Sequence, residues 1–208
     1  MQSSILKSQI VILASCLACL TSWEARAASP PQAVYLSPAA LAATPDGTRL
    51  FVACATANQV AVFDLASGVV TKRIPMPHRP SGLALSPDGA RLYVTCAGLQ
   101  NSVRVLDTGS GKTLATIPAG YIAMAPVLSP DGKTLFVCNR FNNDISVIDL
   151  EKGKEQCRIP VQREPVAADV SPDGRFLLVA THLHTGPAEA EHVTAVVSVI
   201  DTATRKVA

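Results

Sequence analysis

Imidazoles are the side chains of this chain best suited to reactive chemistry, and three of its four lie close together: His182, His184 and His192. His182 and His184 are spaced i, i+2, which puts both rings on one side of an extended segment. Such clusters suit zinc, copper or iron, and three imidazoles with an open coordination position make a reactive centre. A transition metal is therefore one expectation for this stretch. An exposed or partner-contacting loop is the other: Gly186-Pro187 interrupts the segment, Glu189 and Glu191 would solvate it, and no spacing matches a specific metal motif.

Other catalytic signatures do not stand out. The chain carries no Gly-x-Ser-x-Gly elbow, no phosphate-cradling Gly loop, no His-Glu-x-x-His and no Cys-x-x-Cys-His haem motif. A formal net charge of +2 with no run of Lys or Arg gives a nucleic-acid partner or a polybasic membrane contact little support.

The histidines must be positioned by a repeat. Thr44-Pro45-Asp46-Gly47 recurs as Ser86-Pro87-Asp88-Gly89, Ser129-Pro130-Asp131-Gly132 and Ser171-Pro172-Asp173-Gly174, a period of about 42 residues. After each Gly comes a short apolar run, such as Leu92-Tyr93-Val94, then a polar patch and a second run ending in Asp64, Asp107, Asp149 or Asp201. The first three units close on Ile74-Pro75, Ile117-Pro118 and Ile159-Pro160. In the Pro-Asp-Gly turn, Pro presets φ, Asp bonds its own backbone and Gly accepts φ > 0. A second turn runs from each Asp to Gly68, Gly111 and Gly153, with Arg205 standing where the fourth unit should have glycine. Each unit thus reads as four short strands with no helical period. Four-stranded repeats of this length are the blades of an all-β propeller.

These motifs resemble the YVTN propeller repeat, which is distantly similar to WD repeats, although the Trp-Asp ending of the latter is absent. The resemblance runs from about Ala40 to the end and implies a ring of about seven blades, of which four are present. The repeats divide as residues 40–80, 81–122, 123–165 and 166–208, the last stopping where its outer strand should begin. A four-bladed ring closed by a strand at residues 32–36 is the alternative.

Alternating strand direction puts both kinds of Asp turn on one face and the remaining loops on the other, around the channel mouth. On that second face fall His78, Arg79, Tyr121, Arg163 and Glu164 from blade-to-blade loops. Asn58, Asn101, Arg140, Asn142 and Asn143 come from loops between second and third strands. His78, Arg79, Tyr121, Arg140, Arg163 and Glu164 are the candidate face for a small ligand or protein partner. The fourth unit carries an insertion of roughly ten residues, holding His182, His184 and His192, so all four histidines are expected on this face.

Three functions fit these residues. The first is a non-catalytic binding or scaffold propeller. The second, implied by the resemblance, is the propeller part of a redox protein partnered with a c-type cytochrome domain or a metal. The third is a lactonase-like hydrolase, for which Glu164 is the obvious acid of the regular loops.

Residues 1–27 read as a signal peptide: Lys7, an apolar stretch over residues 10–20, then Ala25-Arg26-Ala27 before a cut at Ala28. The apolar stretch is too short to span a bilayer. A periplasmic or extracellular location follows, with residues 28–39 as an N-terminal segment. Leu13-Ala14-Ser15-Cys16 resembles a lipobox, in which Cys16 would be lipidated instead. Cys54, Cys96, Cys138 and Cys157 remain after cleavage. Their repeat positions are too far apart for disulfides, so small buried apolar residues are expected.

Overall fold

The computed structural model describes residues 36–183 and 195–208, all within the unit Tyr35–Ala208. The proposed leader, Cys16, residues 32–35, His184 and His192 lie outside the described residues. Among those described, every regular element is a strand, and no helix is long and apolar enough to cross a membrane.

Four antiparallel sheets of four strands each follow one another along the chain. Blade 1 comprises β1 (Pro38–Ala43), β2 (Arg49–Cys54), β3 (Gln59–Asp64) and β4 (Val69–Pro75). Blade 2 has β5 (Arg79–Leu85), β6 (Arg91–Ala97), β7 (Ser102–Asp107) and β8 (Thr113–Pro118). In blade 3 are β9 (Ala123–Leu128), β10 (Thr134–Asn139), β11 (Asp144–Asp149) and β12 (Lys154–Pro160). Blade 4 holds β13 (Pro165–Val170), β14 (Phe176–Thr181), β15 (Val197–Asp201) and β16 (Lys206–Val207). The first strands β1, β5, β9 and β13 lie against one another in turn, which makes them the innermost strands of an arc. This is the all-β propeller architecture that the repeat predicts.

The turns form as their residues dictate. Gly47 sits at φ 67, Thr48 N–H donates to Asp46 Oδ1 at 3.0 Å, and Arg49 N–H to Thr44 Oγ1 at 3.0 Å. At the second turn Arg205 takes φ 59, the left-handed conformation its repeat position demands, although it is not glycine. Its guanidinium bonds Gln156 Oε1 and lies 3.3 Å from Cys157 Sγ on β12.

The outer strand of blade 4 begins as a two-residue stub, with Lys206 opposite Asp201 and Val207 opposite Ile200.

The core lies between blades, not within them. Phe51, Val60, Val62 and Ile74 of blade 1 meet Leu92, Val94, Cys96 and Leu106 of blade 2. Tyr93, Val103, Val105 and Ile117 meet Leu135, Val137 and Ile148. Phe136, Cys138, Ile145 and Val147 meet Leu177, Val179 and Ile200. Each fully buried Val or Leu contributes about 1.5–3 kcal/mol. Near the axis, blades 2 and 3 approach so closely that only glycine fits at position 82. A Cβ there would collide with the Pro126 ring and stand 2.8 Å from Thr95 Oγ1 and 2.9 Å from Ala125 N.

The four cysteines among the described residues are free, three of them buried and Cys157 half-buried. Burial pushes the Cys96 thiol up to about 11 and the Cys138 thiol up to about 12, so both stay neutral.

Candidate functional site

The two sets of loops opposite the Asp turns are tied together by repeated hydrogen bonds. Met76 N–H donates to Asn58 O at 2.7 Å, Ala119 N–H to Asn101 O at 3.2 Å, and Val161 N–H to Asn143 O at 3.0 Å. Two of these asparagines also use their side chains: Ile122 N–H donates to Asn101 Oδ1 at 3.1 Å and Glu164 N–H to Asn143 Oδ1 at 3.0 Å. Both recipients are held at positive φ, 54 for Ile122 and 56 for Glu164. A β-branched residue in that region is strained, and such strain persists where surrounding contacts over-determine it. The asparagines act both as turn formers, Asn58 at φ 47 and Asn143 at φ 58, and as clamps on the mouth.

The mouth holds a cleft of about 680 Å³ where Arg79, Tyr121 and Arg140 converge. Its remaining walls include Ala39, Leu99, Ile122 and Met124, so the lining is largely apolar with two guanidinium groups at its edge. Leu99 is 99% exposed and Tyr121 54% exposed, which leaves an uncovered apolar rim.

Arg140 is the most constrained member. Its Nε and Nη2 both donate to Glu164 Oε2, at 2.9 and 2.6 Å. Its guanidinium stacks 5.3 Å from the centroid of Phe141, whose ring lies 5.7 Å from that of Tyr121. Glu164 therefore neutralises Arg140, whereas Arg79 has no acidic partner among the described residues. Arg79 is the cation left for a ligand.

Four expected face residues, Arg79, Tyr121, Arg140 and Glu164, are thus brought together. Two are not. Arg163 is exposed and contributes its carbonyl, which accepts from Leu183 N–H at 3.3 Å. His78 turns away from the mouth into a second cleft of about 280 Å³, with Asn101, Ser102, Arg104 and Thr116. Its ring packs over Gly98, where a Cβ would stand 2.8 Å from His78 Cγ.

His182 is exposed at the end of β14, its N–H donating to Glu164 O at 3.0 Å. The cleft around His78 contains no residue of blade 4, so these two histidines are not brought together. Among the described residues, no three His, Cys, Asp or Glu side chains group to hold a metal.

Residues that the sequence did not single out complete the mouth. Leu99 and Met124 give no chemical signal in sequence, and neither does Phe141, whose ring packs between Arg140 and Tyr121. Only the repeat alignment, which places Arg140 and His182 at equivalent positions, could have pointed to this ring of side chains.

Comparison with known proteins bears on this geometry. Residues 83–186 match the family described as "Lactonase, 7-bladed beta-propeller", half of the chain. Among solved structures, the chain is similar to hydrazine synthase of Kuenenia stuttgartiensis, with a TM-score of 0.75 and 27% identity. That likeness covers 87% of this chain and 50% of the other, so the chain spans about half of that protein's length. No curated protein matches it.

Proposed function

The chain belongs to the lactonase family of seven-bladed β-propellers, and we propose that it is an exported, YVTN-like binding propeller that holds an organic anion at its mouth. The observation that carries this reading is the convergence of Arg79, Tyr121 and the Glu164-braced Arg140 on one apolar cleft. Arg79 would hold a carboxylate or similar group through its guanidinium fork. Tyr121, Leu99 and Met124 would cover the ligand's apolar body. Export rests on the leader pattern of residues 1–27, with lipidation at Cys16 as its variant; amino-terminal sequencing of the mature protein distinguishes a start at Ala28 from an acylated Cys16. The full ring would supply the remaining wall of the mouth.

Calorimetric titration with a series of aliphatic and aromatic carboxylates tests the site. Loss of a charge-assisted hydrogen bond in Arg79→Ala should weaken binding by about tenfold or more. Equal binding by wild type and variant at every member of the series would refute it.

A second reading has one specific support, the family match itself: hydrolysis of a lactone at the same mouth. Glu164 would then position Arg140 against the carbonyl oxygen of the ring. Acid release from simple lactones, lost in Arg140→Gln, would decide for this reading over simple binding. A redox partner draws on the likeness to hydrazine synthase alone, and no residue of the mouth speaks for it.

A further inference from the structure

The cleft around His78 lies on the face of blade 2 that packs against blade 1, and comparison with the same place in blade 3 shows what is unusual about it. There Asn139, Asp144, Ser146 and Arg158 occupy the corresponding positions and satisfy one another. Asn139 Nδ2 donates to Asp144 Oδ1 and to Ser146 Oγ, each at 2.7 Å, and Arg158 Nη1 lies 3.7 Å from Asp144 Oδ2. In blade 2 the same positions hold Cys96, Ser102, Arg104 and Thr116. The acid has become serine, and the small serine has become arginine. A cation now sits at the blade interface without its carboxylate.

Nothing nearby replaces that carboxylate. The cleft is lined by His78, Gln100, Asn101, Ser102, Arg104, Thr116 and Pro118, none of them acidic. The blade 1 residues across the interface, Val60, Ile74 and Met76, are apolar, and the buried Cys96 thiol stays neutral. Arg104 Nε is buried and has no hydrogen-bond partner among the described residues. An unmade hydrogen bond of a charged, buried donor is costly, and native structures leave few without a reason such as a missing ion.

We infer that this interblade cleft is a binding site for a small oxyanion, a carboxylate or phosphate group, held by the Arg104 guanidinium with the Ser102 and Thr116 hydroxyls, the Gln100 amide and the His78 ring. The oxyanion takes the place that Asp144 fills in blade 3. It is separate from the mouth: Arg79 and Tyr121 line the other cleft, across the loop that carries Gly98 and Asn101. A cleft of about 280 Å³ admits the anion with a few attached carbon atoms.

The test uses the full chain, titrated separately with sodium succinate and sodium phosphate and followed by amide chemical shifts at Gln100, Asn101 and Ser102. At least one of the two should saturate, and the arm that does so identifies the anion. Arg104→Ser places the residue of blade 3 at this position, so the fold accommodates it, and it should abolish the saturable shifts. Arg104→Lys keeps the charge but loses the planar fork, and should weaken binding by about tenfold. Absence of saturation by both anions at millimolar concentration overturns the inference. So does unchanged binding in a folded Arg104→Ser variant, with folding checked by its thermal melt.

Discussion

The trailing faces of blades 3 and 4 are built from the same repeat positions and meet different fates. In blade 3 Phe136, Ile145 and Val147 are at most 4% exposed, because blade 4 covers them. Their counterparts Leu178, Val197 and Val199 are 40%, 57% and 37% exposed. The leading edge repeats the contrast: Leu92, Val94 and Leu106 are fully buried, whereas Leu50, Val52 and Phe63 of blade 1 are only half-buried. The difference is one of neighbours, not of blade design. A blade's own hydrogen-bonded sheet is complete in both places, and what stabilises it is the apolar surface of the next blade.

The largest effect should therefore depend on which blade is changed. Phe136→Ala removes a ring packed between two blades and should cost about 3–5 kcal/mol. Leu178→Ala, the same position one blade on, removes a half-solvated side chain and should cost about 1 kcal/mol. Chemical denaturation of both variants measures the contrast. Comparable losses would mean that the trailing face of blade 4 is covered in solution.

That face offers a second way to probe the comparison. Exposed Leu178, Val197 and Val199 form an apolar strip on an uncovered sheet face, the kind of surface that drives association. Sedimentation should show a concentration-dependent rise in mass for the wild type, reduced in Val199→Lys. A monomer at all concentrations with a sharp, reversible melt would show that four blades are self-sufficient.

Most of this architecture was legible in sequence because its punctuation is local. Pro-Asp-Gly and the Asp-to-Gly turns act through φ values and hydrogen bonds within a few residues, so they survive any arrangement of blades. The site was legible only in part. His78 and Arg79 are adjacent in sequence yet line separate clefts, because successive side chains of an extended segment point to opposite sides. Arg104 stands between Val103 and Val105 with nothing in the sequence to mark it, and its missing counter-charge emerges only when blade 2 is laid over blade 3. The Arg140–Glu164 pair joins two loops of adjacent blades, a contact that no local pattern encodes.

The turns themselves should be indifferent to whether a face is open. Asp46 is held down to about 2, first by the Thr44 hydroxyl and then by the Thr48 N–H and hydroxyl. Asp88, Asp131 and Asp173 are lowered likewise, chiefly by the hydroxyls of Ser86, Ser129 and Ser171. A folded-state value below the unfolded one, about 3.9, contributes stability that is full above the unfolded value and is lost as pH falls through the folded one. The stability deficit of Ser86→Ala should therefore be largest at neutral pH and shrink as pH falls below about 4. Ser171→Ala, in the blade with the open face, should follow the same profile. A deficit independent of pH would remove the carboxylate from the account.

The smallest effect concerns the one turn where blade 4 departs from the rule. Arg205 occupies the left-handed position that Gly68, Gly111 and Gly153 fill elsewhere, at φ 59 against their 64 to 74. A residue with a Cβ bears a penalty of about 1–2 kcal/mol there. Against it stand the contacts of the guanidinium with Gln156 and Cys157, which fasten the outer edge of blade 4 to blade 3. Exposed polar contacts of this kind contribute less than about 1 kcal/mol, and glycine gives back part of its gain through the flexibility of the unfolded chain. Arg205→Gly should then raise stability slightly, by about 0.5 kcal/mol. The mirror substitution Gly153→Arg, at φ 64 with open space where its Cβ would stand, should lower stability by about 1 kcal/mol. Denaturant midpoints of the pair measure both. A loss above about 1 kcal/mol in Arg205→Gly would show that the fastening across blades outweighs the strain of the turn, and that the uncovered blade depends on its one neighbour more than its buried face implies.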